Sequence, residues 1–420
     1  MSAFMQESNI SPNNFEQCLK CNLCTSVCPM MAANPHYPGP KQAGPDGERY
    51  RLKDPAFFDL TLKYCLNCKR CEVACPSGVK VGDIIQASRL KYGHQSNPLR
   101  DTILASTDFV GSLASPMAPT VNALLEWKPV KKMMNLFGVD SRRKFPSYSK
   151  LKFENWFREQ VPSQENFRRF VSYFHGCYVN YNYPELGQDF VKLMNACGYG
   201  VRMLEGEKCC GVAMISNGMG RQAAVNGSKN LDAMRKALRD GSEAVLTSSS
   251  TCTFTMRDEY EHLLGLKTAD IRPHLMLATK FIFDRVESGD IRLVFKEERR
   301  GKYVYHTACH MQKLGWTIYS TELLKMIPGM DLTVLPQECC GIAGTFGFKK
   351  ENYPYSQLIG SKLFDLIKKL NPRAVITDCE TCKWQIEMST GYSVLNPISV
   401  LAEALDLEKT SRLNVAVPSR

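Results

Sequence analysis

Two copies of one cysteine pattern stand near the start of the chain. Cys18, Cys21, Cys24 and Cys28 form the first, Cys65, Cys68, Cys71 and Cys75 the second, and Pro29 and Pro76 close them. Both read C-x2-C-x2-C-x3-C-P. Three thiolates at that interval wrap a tight turn around one corner of a cubane iron–sulfur cluster. The fourth, followed by proline, leaves the turn toward a neighbouring cluster. The spacing predicts two [4Fe–4S] clusters with exchanged fourth ligands: Cys18, Cys21, Cys24 and Cys75 on one, and Cys65, Cys68, Cys71 and Cys28 on the other. C-x2-C pairs also make zinc ribbons, but a tetrahedral zinc site uses two pairs and has no place for a third cysteine at the same interval.

A second set of cysteines recurs farther along, again in duplicate. In the first copy, residues 170–174 lead to His175-Gly176-Cys177, then Cys209-Cys210-Gly211 follows, and residues 244–247 lead to Ser249-Ser250-Thr251-Cys252. In the second, residues 303–305 lead to His306-Thr307-Ala308-Cys309, then Cys339-Cys340-Gly341 follows, and residues 374–377 lead to Cys379-Glu380-Thr381-Cys382. The step from Gly211 to Ser249 equals that from Gly341 to Cys379, which argues for duplication. The five thiols Cys309, Cys339, Cys340, Cys379 and Cys382 predict a further iron–sulfur cluster. Adjacent cysteines suit a tetrahedral ion poorly, whereas each can serve a neighbouring iron of a cluster. Buried or redox-active thiols without metal are the alternative.

The first copy has Ser249 where the second has Cys379, leaving Cys177, Cys209, Cys210 and Cys252. Four thiols suffice for an ordinary cluster, and a relic of the duplication reads equally well. Cys197 fits no pattern and is expected in the core. His175 and His306 precede the first cysteine of each copy and His310 follows Cys309, so all three are candidates for supporting contacts rather than ligands.

These residues need elements to position them. Short β-branched or aromatic runs precede the cysteine groups, and amphipathic helical stretches lie at 223–238 and 356–370. Strands alternating with helices imply parallel α/β units, whose ligands gather at the carboxyl ends of the strands. The cysteines of one copy should therefore converge. Around the first eight cysteines the pattern differs: a turn-rich connector at 37–47 and helix-like apolar spacing at 55–64 and 81–92. The expected fold is a multidomain α+β and α/β chain. A mostly helical two-cluster domain (1–100) and a helical basic linker (101–168) precede two copies of the cysteine-rich α/β unit (169–290 and 300–406).

The 420 residues suit two or three domains. Composition is that of a soluble globular protein, and no run approaches the ~20 apolar residues that span a bilayer. The polar start, with Glu7 and Glu16, lacks the pattern of a signal peptide, so an intracellular protein is expected. Thiols stay reduced there, and eighteen cysteines then point to metal rather than disulfides. Net charge is +11, with Lys128, Lys131, Lys132, Arg142, Arg143, Lys144, Lys150 and Lys152 opposed over that stretch only by Glu126 and Asp140. Such a block suits an anionic surface.

Residues 103–125 are apolar but broken by Pro116 and Pro119, and Trp127, Met133, Met134, Leu136 and Phe137 then interleave with lysines. An interfacial helix on anionic lipid has this composition. Packing against the α/β units or a partner protein accounts for it equally well. No G-x-G-x-x-G motif is present, so flavin or nucleotide chemistry would belong to a partner. No nucleic-acid partner is expected.

The double-cysteine glycine repeats resemble the cysteine-rich CCG domain of heterodisulfide reductase B subunits, found also in iron–sulfur subunits of glycolate and lactate oxidising complexes. That resemblance implies a non-cubane [4Fe–4S] cluster on the complete second copy. Residues 37–49 (YPGPKQAGPDGER), 64–77 (YCLNCKRCEVACPS), 339–354 (CCGIAGTFGFKKENYP) and 377–390 (TDCETCKWQIEMST) resemble the C-subunit family of anaerobic sn-glycerol-3-phosphate dehydrogenases. Over nearly the whole chain, this resemblance implies an electron conduit. Flavin-carrying A and B subunits would oxidise glycerol 3-phosphate to dihydroxyacetone phosphate, and the conduit would pass electrons to membrane menaquinone. The chain would lie peripherally on the cytoplasmic face of the inner membrane and oxidise no substrate itself. The alternatives are the same conduit for a glycolate or lactate oxidase, and a catalytic subunit that cleaves a disulfide at the five-cysteine site.

Overall fold

The computed structural model describes residues 14–54, 59–92, 97–296 and 300–414. In both N-terminal quartets the backbone turns left-handed at equivalent places: Lys20 (φ 59°) and Asn22 (φ 64°), then Asn67 (φ 55°) and Lys69 (φ 60°). Non-glycine residues adopt this region at a cost, usually singly. Here a pair flanks the second cysteine of each quartet and folds the three-thiol turn back on itself. Each turn runs into a one-turn helix, Leu23–Ser26 and Arg70–Val73, and the two helices pack together.

The connector at 37–47 is not the turn-rich loop that its composition predicts. Gln42–Asp46 forms a π-helical turn that runs directly into the helix Gly47–Lys53. The wider turn admits Pro45, whose missing N–H matters little where the regular helical ladder is already interrupted. Gly44 lets this turn lie against the helix Val81–Tyr92, since a Cβ there would stand 3.1 Å from Val81 Cγ1. Of the expected helix at 55–64, residues 55–58 lie outside the described residues, and Leu60–Tyr64 is a 3-10 helix. Val81, Ile84 and Ile85 form the buried stripe of the helix Val81–Tyr92. Among the described residues before Arg169 there is no strand, in keeping with a helical domain.

Each cysteine-rich unit is built on a four-stranded parallel sheet. The first contains β1 (Arg169–Phe174), β2 (Tyr199–Met203), β3 (Ser242–Thr247) and β4 (Leu275–Leu277) in the order β2-β1-β3-β4. The second contains β5 (Gly301–Tyr305), β6 (Met330–Val334), β7 (Ala374–Ile376) and β8 (Val394–Leu395) in the order β6-β5-β7-β8. All pairings are parallel, so the duplication extends to topology.

The runs legible in the sequence are the inner strands β1, β3, β5 and β7, whose carboxyl-terminal residues are buried and mostly apolar. The outer strands are shorter or more polar and carry no clear pattern. The two units share one core, in which Tyr173, Phe190, Tyr305 and Leu401 are all buried.

Between the cluster domain and β1 run the short helices Pro98–Ala105, Thr107–Ala114, Ala118–Glu126 and Lys128–Leu136, followed by the longer Phe153–Gln164. The basic residues of this segment do not form one solvated block. Arg143 is buried in the second unit, where it donates to Gly347 O (2.6 Å) and Ser356 Oγ (2.9 Å). Arg142 pairs with Asp140 at 2.7 Å and lies over Tyr353. Helix Lys128–Leu136, by contrast, has no buried residue. Trp127, Met133, Leu136 and Phe137 are exposed beside its lysines. Among the described residues no helix is long and apolar enough to cross a membrane.

Candidate iron–sulfur sites

The eight N-terminal thiols gather around two separate cavities. Cys18, Cys21, Cys24 and Cys75 line one, and Cys28, Cys65, Cys68 and Cys71 line the other. The exchange arises because Pro29 starts a new helix, Pro29–Ala33, directly after Cys28 and ends the first turn. Burial pushes the Cys28 thiol up to about 12, with Cys68 and Cys65 adding to the shift, and burial likewise raises Cys24. Thiolates crowded this way need a compensating cation, which iron would supply. Donors already point at sulfur: Val79 N–H to Cys75 Sγ (3.3 Å) and Gln86 Nε2 to Cys65 Sγ (3.4 Å). The all-sulfur donor sets fit cubane clusters, and hydrogen bonds to sulfur tune such clusters' potentials.

In the second unit all five thiols converge at the carboxyl ends of β5, β6 and β7. Cys340 Sγ lies 3.2 Å from Cys382 Sγ, and the Gly341 N–H donates to Cys339 Sγ at 3.4 Å. Cys379 Sγ lies 3.4 Å from Thr251 Oγ1 and 3.3 Å from Thr381 Oγ1. Hydrogen bonds from Cys339 and Cys382 hold Cys340 well below the ordinary thiol range, and one from Cys382 brings Cys379 to about 6. Cys309 feels the charges of Cys68, Cys379 and Cys340.

His306 stands directly beside two of these thiols. Its ring lies with Cys340 and Cys382, their ligand atoms within 4.8 Å of one another, and neither ring nitrogen has another partner among the described residues. The glycine of the motif is required sterically: Gly341 has φ 83°, and a Cβ there would lie 2.0 Å from Ser356 O.

The first unit brings its four thiols together as well. Cys177 hydrogen-bonds Cys209, Cys209 bonds Cys210, and Cys210 bonds Cys252. Ser249 meets this group at Cys252. It caps the helix Ser250–Phe254, with its Oγ accepting from Cys252 N (3.3 Å) and donating to Glu380 Oε2 (2.8 Å). Cys379, at the equivalent cap, makes no such bond, and its sulfur joins the other thiols. His175 also differs from His306, since its Nδ1 pairs with Gly176 O (2.9 Å) and Glu207 (3.4 Å). Cys197 packs in the shared core.

Two carboxylates at this site had no sequence signal. Asp108 Oδ2, from the helix Thr107–Ala114, accepts the Cys209 N–H at 2.7 Å, and burial and the nearby Cys209 push its carboxyl up to about 7. Glu207 Oε1 accepts the Gly176 N–H at 2.7 Å.

The groups are neighbours in series. Cys68 is close enough to raise both Cys309 and Cys339, and Cys339 packs into the N-terminal core. His310 Nε2 bonds Asn67 O (3.0 Å) across the same boundary. From the second unit to the first, Ser250 N–H donates to Asp378 O (2.8 Å), next to the Thr251–Cys379 contact.

Comparison with known proteins agrees with this division. The 4Fe-4S dicluster domain family matches residues 14–79, and the cysteine-rich (CCG) domain family matches residues 171–257 and 303–387. The C subunit of the anaerobic glycerol-3-phosphate dehydrogenase of Escherichia coli (strain K12) is 50% identical over 94% of this chain and 100% of its own length. The B subunit of the fumarate reductase (CoM/CoB) of Methanothermobacter marburgensis is 25% identical over 93% of this chain and 71% of its own. Lactate utilization protein A 1 of Bacillus anthracis is 28% identical over 43% of this chain and 74% of its own.

Proposed function

The chain belongs to the family of anaerobic glycerol-3-phosphate dehydrogenase C subunits, and from that premise we propose that it carries electrons from flavin-containing partner subunits to membrane quinone. It is an iron–sulfur protein with two [4Fe–4S] clusters. In our assignment Cys18, Cys21, Cys24 and Cys75 hold one, and Cys28, Cys65, Cys68 and Cys71 the other. Cys309, Cys339, Cys340, Cys379 and Cys382 hold a third cluster, and Cys177, Cys209, Cys210 and Cys252 form a fourth metal-binding group. Bound clusters supply reversible one-electron transfer, while the chain's own residues set spacing, burial and hydrogen bonding.

The observation that carries this reading is that the thiol groups follow one another, from the N-terminal quartets through Cys68 and Cys309 to Cys379, which Thr251 of the first unit, next to Cys252, approaches at 3.4 Å. A conduit needs such a series, whereas a catalytic site does not. The exposed helix Lys128–Leu136 supports attachment to an anionic lipid surface on the cytoplasmic face of the membrane, with Trp127 and Leu136 dipping in and the lysines at the headgroups.

The rival in which the five-thiol site cleaves a disulfide is favoured by the intact motif. It needs substrate to reach thiols that are buried except at Cys309. The test is glycerol 3-phosphate-dependent quinone reduction by the flavoprotein partners with and without this chain. Reduction that requires the chain supports the conduit. Equal reduction in its absence, or disulfide cleavage by the isolated chain, overturns it.

A further inference from the structure

A cavity of about 640 Å³ opens where the cluster domain meets the helix Pro98–Ala105 and loops of both α/β units. That volume lies within the ~300–1,000 Å³ usual for small-molecule sites. A second cavity of about 640 Å³, between the helix Phe153–Gln164 and β2, has no cysteine in its wall. The first has Cys65 and Leu66 in its wall, so whatever enters it touches the loop of the Cys28, Cys65, Cys68 and Cys71 quartet.

Its wall joins a small apolar face to a polar and charged remainder that includes Asn67, Arg89, Lys349 and Asn352, which suits a planar ring with oxygen acceptors at its edge. Leu62, Leu66 and Phe346 supply buried apolar walls. The Arg89 guanidinium donates to Cys65 O (3.0 Å), Ser216 O (2.6 Å) and Gln86 Oε1 (3.4 Å), and although the Asp101 carboxylate is near enough to act on its charge, no ion pair within 4.0 Å forms between Arg89 and a carboxylate among the described residues. A cation held only by carbonyls favours negative charge that arrives beside it. Asn352 lines the same space, 8% exposed, and its side chain makes no hydrogen bond among the described residues.

Access is also built in. Arg100 and Asp101 of the helix Pro98–Ala105 line the cavity, while Leu99 (62%) and Ile103 (51%) of that helix are exposed. The next helix adds exposed Phe109 and Leu113. This helical segment thus joins the cavity wall to the apolar surface assigned to lipid.

We infer that this cavity receives the head group of a quinone, a site that rests on the proposed role in quinone reduction. Two ring C=O groups become C–OH. The two electrons leave the reduced flavin of the partner subunits by way of the cysteine-held clusters, and the two protons come from water at the mouth by exposed Leu60 and Lys63. Arg89 and Asn352 donate to the ring oxygens.

The test uses the assembled complex with menadione as a soluble naphthoquinone, and an azido-naphthoquinone for photolabelling. Leu60→Trp at the mouth and Asn352→Leu in the wall should each raise the KM for menadione at least about tenfold, the effect of losing fit or a good hydrogen bond. Iron content and visible absorption should stay as in the parent, which shows that the variants fold. Label should map to residues 59–66 and 343–352. An unchanged KM with label elsewhere, for instance in the wall of the second cavity, rejects the location and leaves quinone reduction standing. A parent complex that reduces no naphthoquinone rejects the functional reading, and the site falls with it.

Discussion

Lys69 and Asp83 form a buried ion pair, Nζ to Oδ1 at 2.5 Å, directly behind the second cysteine quartet. Glu259 (3.6 Å) and Glu72 (3.9 Å) face the same ammonium, Lys313 holds Glu72 at 2.8 Å, and His262 lies 3.3 Å from Asp83. The network takes Lys69, Glu72 and Asp83 from the cluster domain, Glu259 and His262 from the first unit, and Lys313 from the second. It therefore pins three parts of the chain at one point. Removing one partner of such a buried group leaves charge without compensation. Lys69→Met should cost about 3–5 kcal/mol. The measurement is thermal bleaching of cluster absorbance, which should occur at clearly lower temperature than in the parent; an unchanged profile would falsify the pinning role.

The same pair sets an acid limit. Burial works against the Asp83 charge, but Lys69, then His262, hold its carboxyl well below the ordinary range. Below an unfolded value of about 3.9 the unfolded chain binds the proton while native Asp83 does not. Unfolded protein then carries more protons, so stability rises with pH in that window. The contribution is complete above about pH 4 and is lost as pH falls toward the folded value. Asp83→Asn should flatten the stability–pH slope there in denaturant titrations, and an identical slope would count against it.

Exchanged fourth ligands make a spectroscopic prediction. Cys75→Ser should alter the same cluster signal as Cys21→Ser, and Cys28→Ser the same signal as Cys68→Ser, in low-temperature EPR of reduced protein. Each should remove or convert one cluster of four irons. Cys75→Ser matching Cys68→Ser instead would mean that each quartet keeps its own fourth cysteine.

Ser249 separates the two copies of the duplicated unit. As a helix cap it should be worth about 1 kcal/mol, lost in Ser249→Ala. Ser249→Cys gives the first unit the same five cysteine positions as the second. The expected outcome is an added or altered iron signal resembling that of the second unit, seen by Mössbauer spectroscopy. Iron content and spectra that do not move would show that position 249 takes no part in ligation.

Attachment to lipid predicts a charge dependence. Each lysine near an anionic surface contributes roughly 1 kcal/mol, so replacing Lys128, Lys131 and Lys132 by glutamine should weaken binding to phosphatidylserine-containing vesicles about a hundredfold. Lys131 also pairs with Glu126 at 2.6 Å, so it should contribute the least of the three. Flotation that is unaffected by all three changes would assign the helix to a partner protein.

Local spacing makes the thiol groups and the inner strands legible in the sequence. Cys18, Cys21 and Cys24 lie within one turn, and the runs before Cys177 and Cys309 are β-rich because both faces of β1 and β5 are covered toward their carboxyl ends. The connector at 37–47 reads as a loop because glycine and proline favour turns when only near neighbours act on them. Packing of Gly44 against Val81 instead holds that segment helical.

What the sequence by itself determined, then, was which cysteines act in sets and that the second half is a duplication, since both depend on near neighbours along the chain. Tertiary structure alone decided what stands beside them. Asp108 reaches Cys209, Arg89 reaches Cys65 and Ser216, and Lys69 meets Glu259 across long sequence separations. Such contacts follow from how helices and sheets bury their faces against one another, which no local spacing encodes. Packing also took Arg143 out of the basic segment and into the second unit, while the helix Lys128–Leu136 keeps its three lysines with no buried residue.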